Sequence, residues 1–214
     1  MNYSINLVKN SDKFIGKVFS KSMKDLSVFY GINWIENVPQ IFVVSDRKSI
    51  NLLRGKKTES WFVAWAENRT RIIYILDKNG FKKNSSHKYS DEYYSALIKH
   101  EISHLFYRIL SSGFQGPVWL SEGVAISTSG QTSLKNKPSE LKNFLEFYSK
   151  TGSGVYEESG FFIEALVKEF GDGKLLELIK SLSQASDEAK FNKVFKKIYG
   201  FSLSYSSANK IYKK

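Results

Sequence analysis

At 214 residues the chain is long enough for one sizeable domain, or a compact two-lobed unit, around a buried core. Hydrophobic residues make up 42% and charged residues 25%, as in ordinary globular proteins, and the absence of cysteine excludes disulfides, thiolate metal sites and cysteine nucleophiles. The formal charge of +11 is spread along the chain with no dense basic arm, so no nucleic-acid partner is expected, and any functional pull of the charge is toward acidic polypeptides.

Met1 to Lys9 lacks the basic patch and apolar run of a secretion signal, and no apolar run reaches the ~18 residues of a membrane span. The expectation is a cytoplasmic protein without a membrane span. From Ser11 to Tyr30, apolar residues such as Ile15, Val18, Leu26 and Tyr30 recur on one side of a helix that Gly31 can close. Gln40 to Ser45 reads as a strand after Pro39, and Ser45-Asp46 as the cap of a short helix through Leu53. Trp61 to Ala66 and Arg71 to Leu76 are β-prone runs on either side of Glu67-Asn68-Arg69-Thr70, which predicts a hairpin. The polar stretch from Asp77 to Ser90 predicts a loop.

A longer helix is expected between Ser90 and Gly113. Ser90 suits the N-cap, Asp91 and Glu92 the first turn, and Gly113 a left-handed C-terminal position. Tyr94, Leu97, Ile98, Ile102, Leu105, Ile109 and Leu110 form its apolar stripe. After Gly116-Pro117, Val118 to Thr128 predicts a second helix, and Ser129 to Ser139 a mobile linker or lid. Helices follow from a Ser139 cap through Glu140 to about Lys150, from Val155 to Phe170, from Lys174 to Leu182, from a Ser186 cap to Tyr199, and from Ser202 to Lys213. The fold class is therefore α+β, with a small sheet and the long helix in residues 1–128 and a helical lobe in 129–214 of a single domain.

The chemistry lies in His100-Glu101-Ile102-Ser103-His104. Residues four apart share one face of a helix, so His100 and His104 can present two imidazoles to a single zinc ion, while Glu101 is turned away from direct ligation yet close enough to reach a metal-activated water. Zinc acidifies water and polarises a scissile carbonyl, and a neighbouring carboxylate can take the proton and pass it to the leaving amine. A catalytic zinc wants three protein ligands, and Glu122 is the obvious third. Seventeen residues separate it from His104, enough for a reversal and a turn of returning helix, and Gly123 beside it removes a side chain where two helices or a metal must come close. The plain alternative, two exposed histidines on an amphipathic helix, explains neither Glu101 nor why two of only three histidines sit one turn apart.

Together with Trp119-Leu120-Ser121-Glu122-Gly123, the motif resembles the gluzincin zinc metallopeptidases, and the layout is most similar to the peptidase MA-like group. The resemblance implies a zincin-like, thermolysin-like catalytic fold with a mixed sheet, one zinc per chain on His100, His104 and Glu122, Glu101 as general base, and a peptide or protein substrate. Many gluzincins carry an acidic residue three or four positions after the glutamate ligand; here Ala125 and Ile126 stand there, which leaves Ser127, Thr128 or Asp77 to orient a histidine. An oxyanion-stabilising tyrosine of the C-terminal lobe is assigned to Tyr156, which follows Gly152-Ser153-Gly154, with Tyr148 as the lesser candidate and half-buried packing as the plain alternative. Ala64-Trp65-Ala66-Glu67-Asn68 faintly resembles the amine-anchoring segment of gluzincin aminopeptidases, with Glu67 as anchor; the simpler reading is a hairpin turn whose edge can pair with extended substrate. Two further readings are a non-catalytic scaffold that keeps the gluzincin fold and a nucleic-acid binder driven by charge.

Overall fold

The computed structural model describes residues 7–9, 12–146, 148–150 and 152–214. Strands β1 (Leu7–Lys9), β2 (Gln40–Val44), β3 (Ala64–Glu67) and β4 (Ile72–Leu76) form one mixed sheet in the order β1-β2-β4-β3. β2 and β4 run parallel, from Gln40 beside Ile72 to Val44 beside Leu76, while β1 is antiparallel to β2 and β3 to β4. The hairpin is as expected, though Trp61 to Val63 precede its first strand; β1 was not expected. The fold class is α+β, with the strands confined to the N-terminal half.

Helix α1 (Lys13–Tyr30) starts from Asp12, whose side chain accepts from Phe14 N at 2.8 Å, and stops at Gly31, whose φ of 65° lets it turn left-handed. The expected start at Ser11 lies outside the described residues. Asp46 caps α2 (Arg47–Arg54). The stretch from Asp77 to Ser90 is more ordered than a loop: a 3-10 turn (Lys78–Gly80) leads into α3 (Phe81–Asn84). Phe81 is fully buried with ring centroids 5.9, 6.1 and 5.9 Å from Tyr89, Tyr93 and Tyr94, so tertiary packing supplies what the polar local sequence does not.

The long helix α4 (Asp91–Leu110) is capped by Ser90, which accepts from Tyr93 N at 3.0 Å. Its stripe is buried as far as Leu105, but Ile109 is exposed, because at this end Phe106, Tyr107 and Ser111 are the buried positions and Ile109 stands on the face turned away from them. α4 lies against β3, β4, α1 and α5 (Val118–Ser129). α5 is crossed in turn by α6 (Ser153–Phe170). That crossing is tight: a Cβ on Gly123 would stand 2.9 Å from the Ser159 carbonyl oxygen, and one on Gly160 2.4 Å from Ile126 Cγ2. Gly123 therefore admits a helix, which settles one half of the close approach anticipated there. The C-terminal half continues with α7 (Asp172–Lys180), α8 (Glu188–Tyr199) and α9 (Tyr205–Tyr212), and Asp187 rather than Ser186 caps α8. One buried cluster takes residues from both halves, from Ile15 to Ile211.

Two expectations for the middle of the chain are overturned. Ser129 to Ser139, expected as a mobile linker or lid, is not structureless, for Gln131–Leu134 forms a 3-10 turn with Gln131 and Thr132 buried, and Gln131, Leu134 and Lys135 line the cleft described below. Nor do the described residues of Glu140 to Lys150 form a helix. Four of the segment's backbone donors are taken by side chains: Glu158 accepts from Lys142 N and Asn143 N at 2.7 and 2.8 Å, Asn209 from Leu141 N at 2.8 Å, and the Tyr205 hydroxyl from Leu145 N at 2.9 Å. The segment is thereby tied to α6 and α9 with Leu141 and Phe144 buried, and the Leu145 N–H that a helix would direct at the Leu141 carbonyl goes to Tyr205 while that carbonyl accepts from Asn209 Nδ2 at 2.7 Å.

Candidate metal centre

His100 and His104 lie on the same face of α4, and Glu122 faces them from the first turns of α5. The two histidine Nε2 atoms are 3.0 Å apart, and Glu122 Oε2 stands 3.3 Å from that of His100 and 3.6 Å from that of His104. This group could hold a metal ion. His100 is buried and His104 half-buried, so they are not the exposed pair of an ordinary amphipathic helix.

The ring of His100 is oriented by a residue that the sequence did not single out. His100 Nδ1 is 2.9 Å from Gln131 Oε1, an acceptor, so Nδ1 carries the proton and the Nε2 lone pair is left facing His104 and Glu122. Gln131 reaches this position because Gly130, at φ 77°, ends α5 and the following 3-10 turn folds back onto α4. The three residues proposed for this task do other work. Asp77 caps the 3-10 turn at Lys78 through Asn79 N, Ser127 lines a separate small cavity with Asp25 and Lys99, and Thr128 belongs to a hydroxyl chain behind the site.

That chain runs through three helices. Thr128 donates to the Val124 carbonyl at 2.7 Å, so its oxygen accepts from Ser103 at 2.8 Å, whose own oxygen accepts from the Tyr30 hydroxyl at 2.8 Å. Ser103, inside the motif and fully buried, thereby ties α1 and α5 to the helix that carries His100 and His104.

Charge at the centre follows from burial and mutual proximity. Burial alone would lower the His104 pKa, but the Glu122 carboxylate beside it raises it to about 9. Burial likewise works against an ionised Glu122, yet the two imidazoles outweigh it and hold its carboxyl far below the usual range. Glu101 is shifted the other way: burial, reinforced by Glu122, raises its pKa above the ordinary carboxylate value, with the imidazoles and the Ala66 amide opposing. A buried carboxylate of raised basicity beside a metal group is suited to proton transfer.

These residues form the floor of a cleft of about 820 Å³. One wall is the chain from Trp61 to Ala66, ending in β3, the edge strand of the sheet. Leu76 N donates to the Val63 carbonyl at 2.8 Å, and the two-residue period of an antiparallel ladder then turns the backbone groups of Ala64 and Ala66 away from β4. Ala64 and Ala66 stand beside Ile75 and Ile73, whose side chains are fully buried on the helix side, so small residues occupy the place where α4 comes close.

Tyr156, in the first turn of α6, also lines the cleft, with its ring centroid 6.2 Å from that of Trp61. Burial, then the charges of Glu122 and Glu101, push its phenol pKa above the ordinary value, so the hydroxyl stays a proton donor at neutral pH. Tyr148 does not line the cleft; its ring faces Phe191, and its carbonyl accepts from Val118 N. Glu67 is exposed at the end of β3, and the cleft is lined there by Ala66 and Asn68 instead. Among the described residues no helix is long and apolar enough to cross a membrane.

The chain matches no family model, no curated protein and no solved structure. Its chemistry is therefore read from its own residues.

Proposed function

We propose that the chain is a zinc-dependent peptidase of gluzincin type with a thermolysin-like catalytic fold. The observation that carries this reading is the convergence of three metal-binding side chains beside a buried carboxylate, Glu101, on the floor of a cleft with an open strand edge. Zinc fits the donor set. Ligands about 2.0–2.1 Å from a tetrahedral ion lie about 3.3–3.4 Å apart, and the three donors here are separated by 3.0, 3.3 and 3.6 Å. Two imidazoles and one carboxylate also leave a fourth position open, as catalytic zinc requires.

What such an ion supplies when bound is Lewis acidity, which polarises a peptide carbonyl and acidifies water. Glu101 takes the proton of the attacking water and holds it for the departing amine, a task that its raised basicity favours. Tyr156 donates its hydroxyl proton toward the negative charge that develops on the substrate carbonyl oxygen. The outward backbone groups of Ala64 and the outward carbonyl of Ala66, whose N–H is turned to Glu101, hold an extended peptide by strand addition, which fixes the scissile bond over Glu101.

Metal analysis paired with a peptide-cleavage assay tests the reading. The expected result is one zinc per chain, activity abolished by chelation, and a fall of about 10²–10⁴-fold in kcat for Glu101→Gln with zinc retained. Cleavage by Glu101→Gln at the wild-type rate would sink the mechanism.

A further inference from the structure

The cleft follows one face of α4, where Tyr93, Leu97, His100, Glu101, His104 and Arg108 all line it. At 1.5 Å per residue, Arg108 lies about 6 Å along the axis beyond His104, and Tyr93 about 10 Å before His100. The two ends differ in chemistry. At the Tyr93 end the surfaces are aromatic: the His87 ring is 5.3 Å from Tyr93, and His87 Nε2 is 2.9 Å from the Trp61 carbonyl oxygen. The Arg108 end is polar, with Gln115 in the wall and its carbonyl fixed by the buried Tyr107 hydroxyl at 2.8 Å.

Arg108 is half-buried, and among the described residues its guanidinium has neither an ion pair nor a hydrogen bond. Arg47 shows what a structural arginine does in this fold, donating to Phe62 O, Ser60 O, Asn84 O and Thr58 Oγ1. The other cation of the cleft, Lys135, already has Glu157 acting on it. A planar fork of donors, partly stripped of water and without a partner, is matched by a carboxylate.

We propose that Arg108 binds a carboxylate of the substrate, so that the cleft selects peptides with an acidic group close to the scissile bond. The assignment rests on the peptidase reading and names the substrate class for that same site. Extended chain rises about 3.3 Å per residue, so a separation of about 6 Å corresponds to roughly two residues. The carboxylate belongs either to an Asp or Glu side chain or to the peptide's own C-terminus, and both present the same group to the guanidinium.

The test is a peptide library with free and amidated C-termini, cleaved by zinc-loaded wild type, Arg108→Gln and Arg108→Glu. Wild type is expected to prefer an acidic group at one fixed position by roughly 10- to 100-fold in kcat/KM. That ratio falls to near one in Arg108→Gln and turns toward basic residues in Arg108→Glu. A preference that survives amidation assigns the carboxylate to a side chain, and one lost on amidation assigns it to the terminus. Calorimetric binding of an acidic peptide and its neutral counterpart to Glu101→Gln, with and without Arg108→Gln, reads the same preference without turnover. A wild-type ratio near one, or a ratio unchanged in Arg108→Gln, overturns the role of Arg108 and leaves the peptidase standing. No cleavage of any peptide by the zinc-loaded protein overturns the peptidase reading and this assignment with it.

Discussion

Gln131 stands 31 positions from His100, yet its side-chain oxygen takes the Nδ1 proton and so decides which nitrogen faces the metal position. A neutral amide in this role orients the ring without adding a negative charge beside the centre, which leaves Glu122 as the carboxylate that raises the His104 pKa most directly. Gln131→Leu keeps the bulk and removes the acceptor. It is expected to weaken metal affinity about 10–100-fold, as a shift in competition with a chromogenic chelator. Unchanged affinity would mean that packing alone holds the ring. Glu101 makes the complementary point: it sits one residue from His100, yet the proton-transfer role proposed for it depends on burial, which raises its basicity where that of Glu122 is lowered.

At the scale of elements, α4 and α5 hold the site because other elements restrain them. The Tyr30, Ser103 and Thr128 hydroxyls link the two ligand helices to α1, and the Gly123 and Gly160 contacts bring α6 onto α5. Tyr156 depends on the start of α6, where a Cβ on Gly154 would fall 2.0 Å from the Asn143 carbonyl oxygen. That contact brings the irregular segment at 141–146 directly against the helix that carries Tyr156. Glu158 organises the segment with two backbone N–H groups on one buried carboxylate oxygen. Glu158→Ala strands both donors and is expected to cost about 2–4 kcal/mol, measured as a lower urea midpoint. A loss below about 0.5 kcal/mol would show that the segment is held by Leu141 and Phe144 alone.

For the whole molecule, the extent of the core sets what the metal contributes to stability. The buried apolar cluster reaches from α1 to α9, so an ion at the proposed centre would be an addition to a fold that stands on apolar packing. With free metal at about a thousand times Kd, chelation is expected to remove about 4 kcal/mol, a fall of about 8–16 °C in Tm, while the far-UV circular dichroism at 25 °C stays unchanged. Loss of helical signal on chelation would show instead that the ion staples α4 to α5.

Much of this was legible in the sequence because it is local. The His100 and His104 spacing, the Ser90 and Asp46 caps and the Gly31 stop each depend on a few neighbouring residues whose backbone geometry is determined by their own chemistry. Tertiary structure alone decided the rest. Glu140 to Lys150 carries a helical pattern, but distant side chains of α6 and α9 tie down the backbone of 141–145; Ser129 to Ser139 carries linker composition, but Gly130 turned it back so that Gln131 met His100. Tyr156 was separated from Tyr148 only when α6 brought one of them to the cleft, and Arg108 acquired meaning only when the cleft left it without a partner. Spacing along one helix specifies which side chains share a face, whereas what stands opposite that face depends on how the remaining chain folds back upon it.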